Sequence, residues 1–211
     1  MRIIMLGAPG AGKGTQAEQL SELLGIPVLT MSSVLKSIIS GESELGQQIR
    51  ALMAKGDLAP DDLIWRCLCN ELQHSKYRQG VIFDGVPRTV GQFDLMVEDG
   101  MQIDKVFVLQ VADDVLVDRL SGRLMDPATE RIYHKRFLPE GMSEAQKSRL
   151  VARPDDAPDV VRKRLAVYHE TTAPIIQAMR SNQAYKDVMV DVDASLHKDA
   201  VWQAIKNHVH R

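Results

Sequence analysis

The chain reads as an α/β protein built on a parallel sheet, and two features of its patterning lead there. Short runs of apolar residues recur along the 211 residues, at Arg2–Leu6, Val81–Phe83, Val106–Val111 and Val188–Val192. Such continuous runs suit strands buried on both faces. The stretches between them carry helical periodicity instead, and strands alternating with helices imply a parallel sheet.

Taken in order, Arg2–Leu6 ends at Gly7 and is expected to be the first strand. Ala17, Leu20 and Leu24 form a helical stripe closed by Gly25. Leu45, Ile49 and Leu52 form another, closed by Gly56, and Leu63, Cys67 and Leu72 a third. Val81–Phe83 follows as a strand, then a helix introduced by Thr89 and ended by Gly100. After Val106–Val111, the apolar Val115, Leu116 and Leu120 mark a helix that is expected to continue far enough to place Arg119 and Arg123 on one face, at i and i+4. Residues 122–156 break the pattern. They hold seven Lys/Arg, six Asp/Glu, three prolines and few aliphatics, which makes them a solvent-exposed insertion. Asp156 and Pro158 are the expected N-cap and first-turn residues of the next helix, which runs through Arg164 and Tyr168 to a kink at Pro174.

Composition narrows the function classes. With 45% hydrophobic residues, the chain can bury a core sufficient for one domain. Twenty-six Lys+Arg balance 28 Asp+Glu, a net charge of −2, so the global charge offers nothing to nucleic acid or an anionic membrane. Aromatic residues are only 5%, which leaves few platforms for base stacking. The first seven residues contain no run resembling a signal sequence or a span of ~20 apolar residues. A cytoplasmic, soluble protein is therefore expected. Cys67 and Cys69 diverge around a helix, so they suit neither a disulfide nor a shared metal and read as thiols in a reducing compartment.

Chemistry concentrates at Gly7-Ala-Pro-Gly-Ala-Gly-Lys-Gly-Thr15. This is the G-x-x-x-x-G-K pattern, directly after a strand and directly before a helix, the context in which it cradles phosphate. Backbone N–H groups of Gly10, Ala11, Gly12 and Gly14 can turn inward around phosphate oxygens. The helix start adds a favourable dipole, and Lys13 reaches the outer phosphates. The residue after the lysine is glycine, so the metal-facing hydroxyl is expected from Thr15. Val81-Ile-Phe-Asp84 is an apolar strand ending in a carboxylate, and Asp84 is the expected holder of Mg2+ through water.

Following that strand, Asp84-Gly-Val-Pro-Arg-Thr89, together with the glycine loop, resembles the D-G-x-P-R-T signature of adenylate kinases and related nucleoside monophosphate kinases. Further matches in family order are Gly25-Ile-Pro27, Glu44-Leu-Gly46, Asp118 to Arg123, Tyr133-His134 with Phe137 and Pro139, and Val161 to Leu165 with Tyr168-His169. The segment 122–156 resembles the long bacterial lid without its zinc cysteines. The resemblance implies a P-loop fold with a five-stranded parallel sheet, a helical monophosphate-binding arm at 30–59 and a lid at 122–156, all in one kinase domain. It implies ATP and Mg2+ as cofactors, reversible γ-phosphoryl transfer to AMP, and a monomer without nucleic-acid or membrane partners. On the ATP side it implies Gly10 to Thr15, Arg119, Arg123, Ile132 and Tyr133. On the AMP side it implies Met31, Lys36, Asp57, Leu58 and Ala59 from the arm, and Gly85, Val86, Pro87, Arg88 and Gln92 from the signature segment. Arg153 and Arg164 would bridge the reacting phosphates, and with Lys13, Arg88 and Arg123 they form the expected catalytic set.

Elementary chemistry agrees about the arginines. Phosphoryl transfer spreads charge over equatorial oxygens, so its catalysts are positioned cations, and the guanidinium fork binds phosphate bidentately. Gln92 has two readings, since Thr89-x-x-Gln92 is also a capping box. The arm departs from the family, with Met31-Ser-Ser-Val-Leu-Lys36 where T-G-D-x-L-R is usual. The Thr facing the base becomes Met31, the Asp near the metal becomes Ser33, and the Arg on the acceptor phosphate becomes Lys36. Two alternatives follow from these changes, a kinase for a different monophosphate and a nucleotide-binding regulator that has lost transfer.

Overall fold

The computed structural model describes residues 1–41, 43–55, 59–129 and 131–209. Five parallel strands form the sheet: β1 (Arg2–Gly7), β2 (Val28–Thr30), β3 (Val81–Asp84), β4 (Lys105–Gln110) and β7 (Met189–Asp193), in the spatial order β2-β3-β1-β4-β7. Alternation along the strands divides the core in two. Ile4 and Leu6 of β1, with Val106 and Val108 of β4, face one layer, while Ile3, Met5, Phe107 and Leu109 face the other. These strands are thus sandwiched between apolar layers on both faces, as their unbroken apolar runs require.

Helices α2 (Met31–Ser40), α3 (Glu44–Lys55), α4 (Asp61–Glu71), α5 (Val90–Glu98) and α9 (Ala173–Ser181) supply the first layer. Helices α1 (Lys13–Leu24), α6 (Asp113–Ser121), α8 (Pro158–Val167) and α10 (Lys198–Lys206) supply the second. In α1 the stripe Ala17, Leu20 and Leu24 is buried, and Gly25 closes the helix in a left-handed conformation with φ 65°. In α4, Cys67 is buried and Cys69 is half-buried with its thiol directed at Asp99, and both are free thiols. Burial, aided by the Asp99 charge, pushes the Cys69 thiol up to about 11. No described helix is long and apolar enough to cross a membrane.

Several local expectations are corrected. Strand β2 has only three residues, too short for its apolar pattern to announce it. Residues 122–156, expected as an exposed insertion, carry elements of their own that the sequence pattern did not announce: β5 (Arg123–Met125) and β6 (Ile132–His134) pair antiparallel, a bridge joins Met125 to Val151, and α7 (Glu144–Lys147) follows a Ser143 capping box. Helix α6 ends at Ser121 with Gly122 as its C-cap, so Arg123 opens a strand and does not share a helix face with Arg119. Asp156 is not the N-cap of α8, because Ala157 occupies that position before Pro158 while the Asp156 carboxylate turns inward to Arg123. The kink near Pro174 takes the form of a π-helical turn, Tyr168–Thr172, between α8 and α9. A proline cannot donate to the helical ladder, and the ladder widens in the turn before it.

Candidate active site

The site lies at the carboxyl ends of β1 and β3. Gly10 and Gly12 of the loop after β1 adopt φ 87° and 93°, which side-chain-bearing residues rarely reach, and a Cβ on Gly10 would press on Leu120 at 2.8 Å. Gly12 is the N-cap of α1 with no side-chain cap, so the first N–H groups of the helix lack a capping side chain. Lys13 folds back over the loop and donates to the Gly7 and Ala8 carbonyls at 2.8 and 3.0 Å. Burial holds the Lys13 ammonium below its ordinary pKa, the Arg88 and Arg164 charges push the same way, and Asp84 opposes them. Ala11 is buried, and Thr15 is exposed on the first turn of α1.

Asp84 ends β3 with a Cβ position of Gly14 only 3.5 Å from its Oδ2. Burial raises its pKa, while Lys13 and Arg88 pull it down. The segment after it is tightly held. Gly85 has φ 66° and accepts from Arg88 Nε at 3.1 Å through its carbonyl, while Val86 is fully buried and Pro87 follows it into the core. Gln92, also buried, accepts from the Arg88 N–H at 2.8 Å and donates to Asp61 Oδ1 at 2.9 Å, while its own N–H donates to Thr89 Oγ1 at 3.1 Å. Gln92 thus supports its own helix entry through the N–H of Arg88, one residue before the expected partner. Asp61, at the start of α4, also accepts from Thr89 Oγ1 at 2.8 Å.

A second cluster gathers three of the expected arginines. Arg123 donates through Nε and Nη2 to both oxygens of Asp156 at 2.7 and 2.6 Å, a bidentate pair whose carboxylate is 3% exposed. Arg164 donates to the Asp155 carbonyl at 3.0 Å and lies 3.5 Å from Asp156 Oδ1. Arg153 lies 3.4 Å from Asp155 Oδ2. Three guanidiniums therefore meet two carboxylates, leaving a surplus of positive charge, and the buried Asp156 holds Arg123 bidentately. Asp155 and Asp61 escaped the reading of the sequence, and Asp156 was assigned a different job. Nothing local to Asp61, Asp155 or Asp156 signals partners 28, 9 and 33 positions away.

Other expected residues have different partners. Arg119 donates to the carbonyls of Ala194, Ser195 and Leu196 at 2.7, 3.0 and 3.4 Å, anchoring the turn after β7. Ile132 is exposed on β6 and Tyr133 is half-buried beside it. Met31 is 4% exposed and packs with Leu29 and Val34 in the core, whereas Lys36 is exposed further along α2. Ser33 closes a capping box with Thr30, each hydroxyl serving the other residue's backbone. Ala59 is half-buried, and Asp57 and Leu58 fall outside the described residues.

The donor set suits Mg2+ held mainly by phosphates and water. The described residues contain no cluster of three or more acidic, His or Cys side chains able to cage a metal, while one partly desolvated carboxylate, Asp84, stands beside the glycine loop. Magnesium is commonly held by one or two carboxylates plus substrate phosphates.

Residues 5–184 match the family model described as adenylate kinase. An adenylate kinase of Sodalis glossinidius (strain morsitans) is 42% identical over 183 residues, covering 85% of this chain and 86% of the relative.

Proposed function

We propose, because this chain belongs to the adenylate kinase family, that it is a nucleoside monophosphate kinase moving the γ-phosphoryl group of ATP reversibly onto AMP. One observation carries the reading beyond family membership. Asp84 Oδ2 lies 3.5 Å from the Cβ position of Gly14 in the loop, and the charges of Asp84, Arg88 and Arg164 all bear on Lys13, so residues from two distant segments converge beside one phosphate loop. Arg123 and Arg153 join Arg164 through Asp155 and Asp156.

In this reading the loop from Gly10 to Thr15 grips the ATP phosphates, with Lys13 leaving the carbonyls of Gly7 and Ala8 for the outer phosphates. Arg88 holds the acceptor phosphate, and Arg123, Arg153 and Arg164 stabilise the charge on the transferring group. An acceptor oxygen forms the new bond to the γ-phosphorus as the bond to the β,γ-bridging oxygen breaks, and ADP departs with that electron pair. A protein base is unnecessary, since a phosphomonoester loses its second proton near about pH 6. Thr15 and, through water, Asp84 would hold Mg2+, which would supply charge neutralisation on the phosphates. Residues 30–59 act as the acceptor arm and 122–156 as the lid, whose closure excludes water. Arg119, Ile132 and Tyr133 border ATP on the lid side, and Gln92 offers the acceptor base its remaining amide hydrogen. The enzyme acts as a cytoplasmic monomer on small nucleotides.

The arm supports one refinement. Ser33 is committed to its helix, Met31 to the core, and Lys36 lacks the guanidinium fork, so acceptor affinity is lower than a Thr, Asp and Arg set would provide, by roughly tenfold per lost polar contact. A coupled assay with ATP against AMP, GMP, CMP and UMP tests both the activity and the acceptor. AMP is expected to be preferred. Preference for a pyrimidine would reassign the acceptor, and ATP binding without ADP formation from any monophosphate would favour the regulator.

A further inference from the structure

Both main-chain groups of Arg88 are held, from opposite sides. Its N–H donates to Gln92 at 2.8 Å, and its carbonyl accepts from Thr172 Oγ1 at 2.9 Å. The second bond spans 84 positions and comes from the long helical rod that α8, the π-turn and α9 make together. Thr172 is the last residue of that turn. A helical threonine commonly returns its hydroxyl to the carbonyl four residues back. Thr171 does so, donating to Val167 at 2.8 Å, whereas Thr172 directs its hydroxyl away to Arg88. One π-turn shifts the phase of the residues that follow it, and such turns concentrate at functional sites. Two helical turns earlier, Arg164 leaves the same rod for Asp155 and Asp156. The rod therefore carries one guanidinium of the proposed transfer set and grips the peptide that bears another, and both charges bear on Lys13.

We propose that Thr172 is a positioning residue: its hydroxyl fixes the Arg88 peptide against the helical rod and so sets the spacing between the guanidiniums of Arg88 and Arg164. The proposal rests on the transfer reading above. The Arg88 side chain departs from a Cα flanked by the two anchored groups, so a loosened carbonyl lets the peptide rotate and the guanidinium drift. Transfer is sensitive to such drift because the reacting atoms need near-contact alignment.

The test uses the full chain with Thr172→Val, which removes the hydroxyl at nearly constant volume, and Thr172→Ser, which keeps it. Thr172→Val is expected to lower kcat about tenfold and raise the KM for AMP while the KM for ATP stays within about twofold, and Thr172→Ser is expected to restore most of the loss. In an Arg88→Lys background the effect of Thr172→Val should shrink below about threefold, because the hydroxyl works through Arg88. If Thr172→Val does not fold, Thr172→Ala takes its place in the same cycle. Unchanged kcat and AMP KM in the hydroxyl-less variant, equal impairment in Thr172→Ser, or full additivity with Arg88→Lys overturns the proposal. A wild-type chain that forms no ADP in the same assay overturns the transfer reading, and the proposal with it.

Discussion

Lys13 reaches backwards, to the carbonyls of Gly7 and Ala8, and Arg88 to that of Gly85. Neither contact holds the core together, so both side chains are free to turn to phosphate. Lys13→Ala and Arg88→Ala are each expected to cut turnover by about a hundredfold or more while the thermal unfolding midpoint barely moves. Wild-type turnover in either variant would count heavily against the assigned roles. In the arm, Lys36 is exposed and Met31 is not. Lys36→Arg should therefore lower the KM for AMP by up to about tenfold at unchanged stability. Met31→Thr should instead destabilise the protein by about 1–3 kcal/mol, since it places a hydroxyl among Leu29 and Val34. Parallel kinetics and melting curves separate the two, and a Met31→Thr variant as stable as wild type would contradict the burial argument. The glycine loop and Asp84 were legible because their meaning depends on adjacent residues. Asp61, Asp155 and Thr172 were not, since their partners lie 28, 9 and 84 positions away.

At the scale of elements, the segment from β5 to α7 shows how a polar sequence keeps its shape. Asp126, with a side chain 4% exposed, accepts from Arg149 at 2.9 and 3.3 Å and from the Ala128 N–H at 2.9 Å. Beside it, Met125 and Val151 exchange two backbone hydrogen bonds at 2.9 Å. The Arg149 bond, with the Ala128 bond, holds the Asp126 carboxyl below its ordinary value of 3.8. A depressed carboxyl contributes stability that is complete above its unfolded pKa and is lost as pH falls through the folded value. Amide exchange at Met125 and Val151, corrected for intrinsic rates, should thus be flat from pH 7 to about 4 and rise below it. Asp126→Asn should raise exchange already at neutral pH and remove most of the acid dependence. An acid response equal in both proteins would contradict this account. The same segment explains why its hairpin was missed: three-residue strands bound by a buried charged side chain leave no apolar alternation to read.

Across the whole molecule, the proposed function needs two nucleotides bound end to end, which a bisubstrate mimic can report. Diadenosine pentaphosphate at a hundred times its Kd should stabilise the fold by about 2.7 kcal/mol, raising the unfolding midpoint by about 5–10 °C. The same ligand should lose most of this effect in Lys13→Ala, and an unmoved midpoint for the wild-type chain would argue against a paired nucleotide cleft. The four longer sheet strands, most of the helices packed on the sheet, the two-faced burial of the sheet and the glycine loop followed from the sequence alone, because each depends on residues within a turn or a strand of one another. The pairing of Arg123 with Asp156, the withdrawal of Met31 into the core, the diversion of Arg119 to the 194–196 carbonyls and the grip of Thr172 on Arg88 were decided only by the tertiary structure. Each of those depends on which distant backbone or carboxylate arrives beside a side chain, and local pattern carries no record of that.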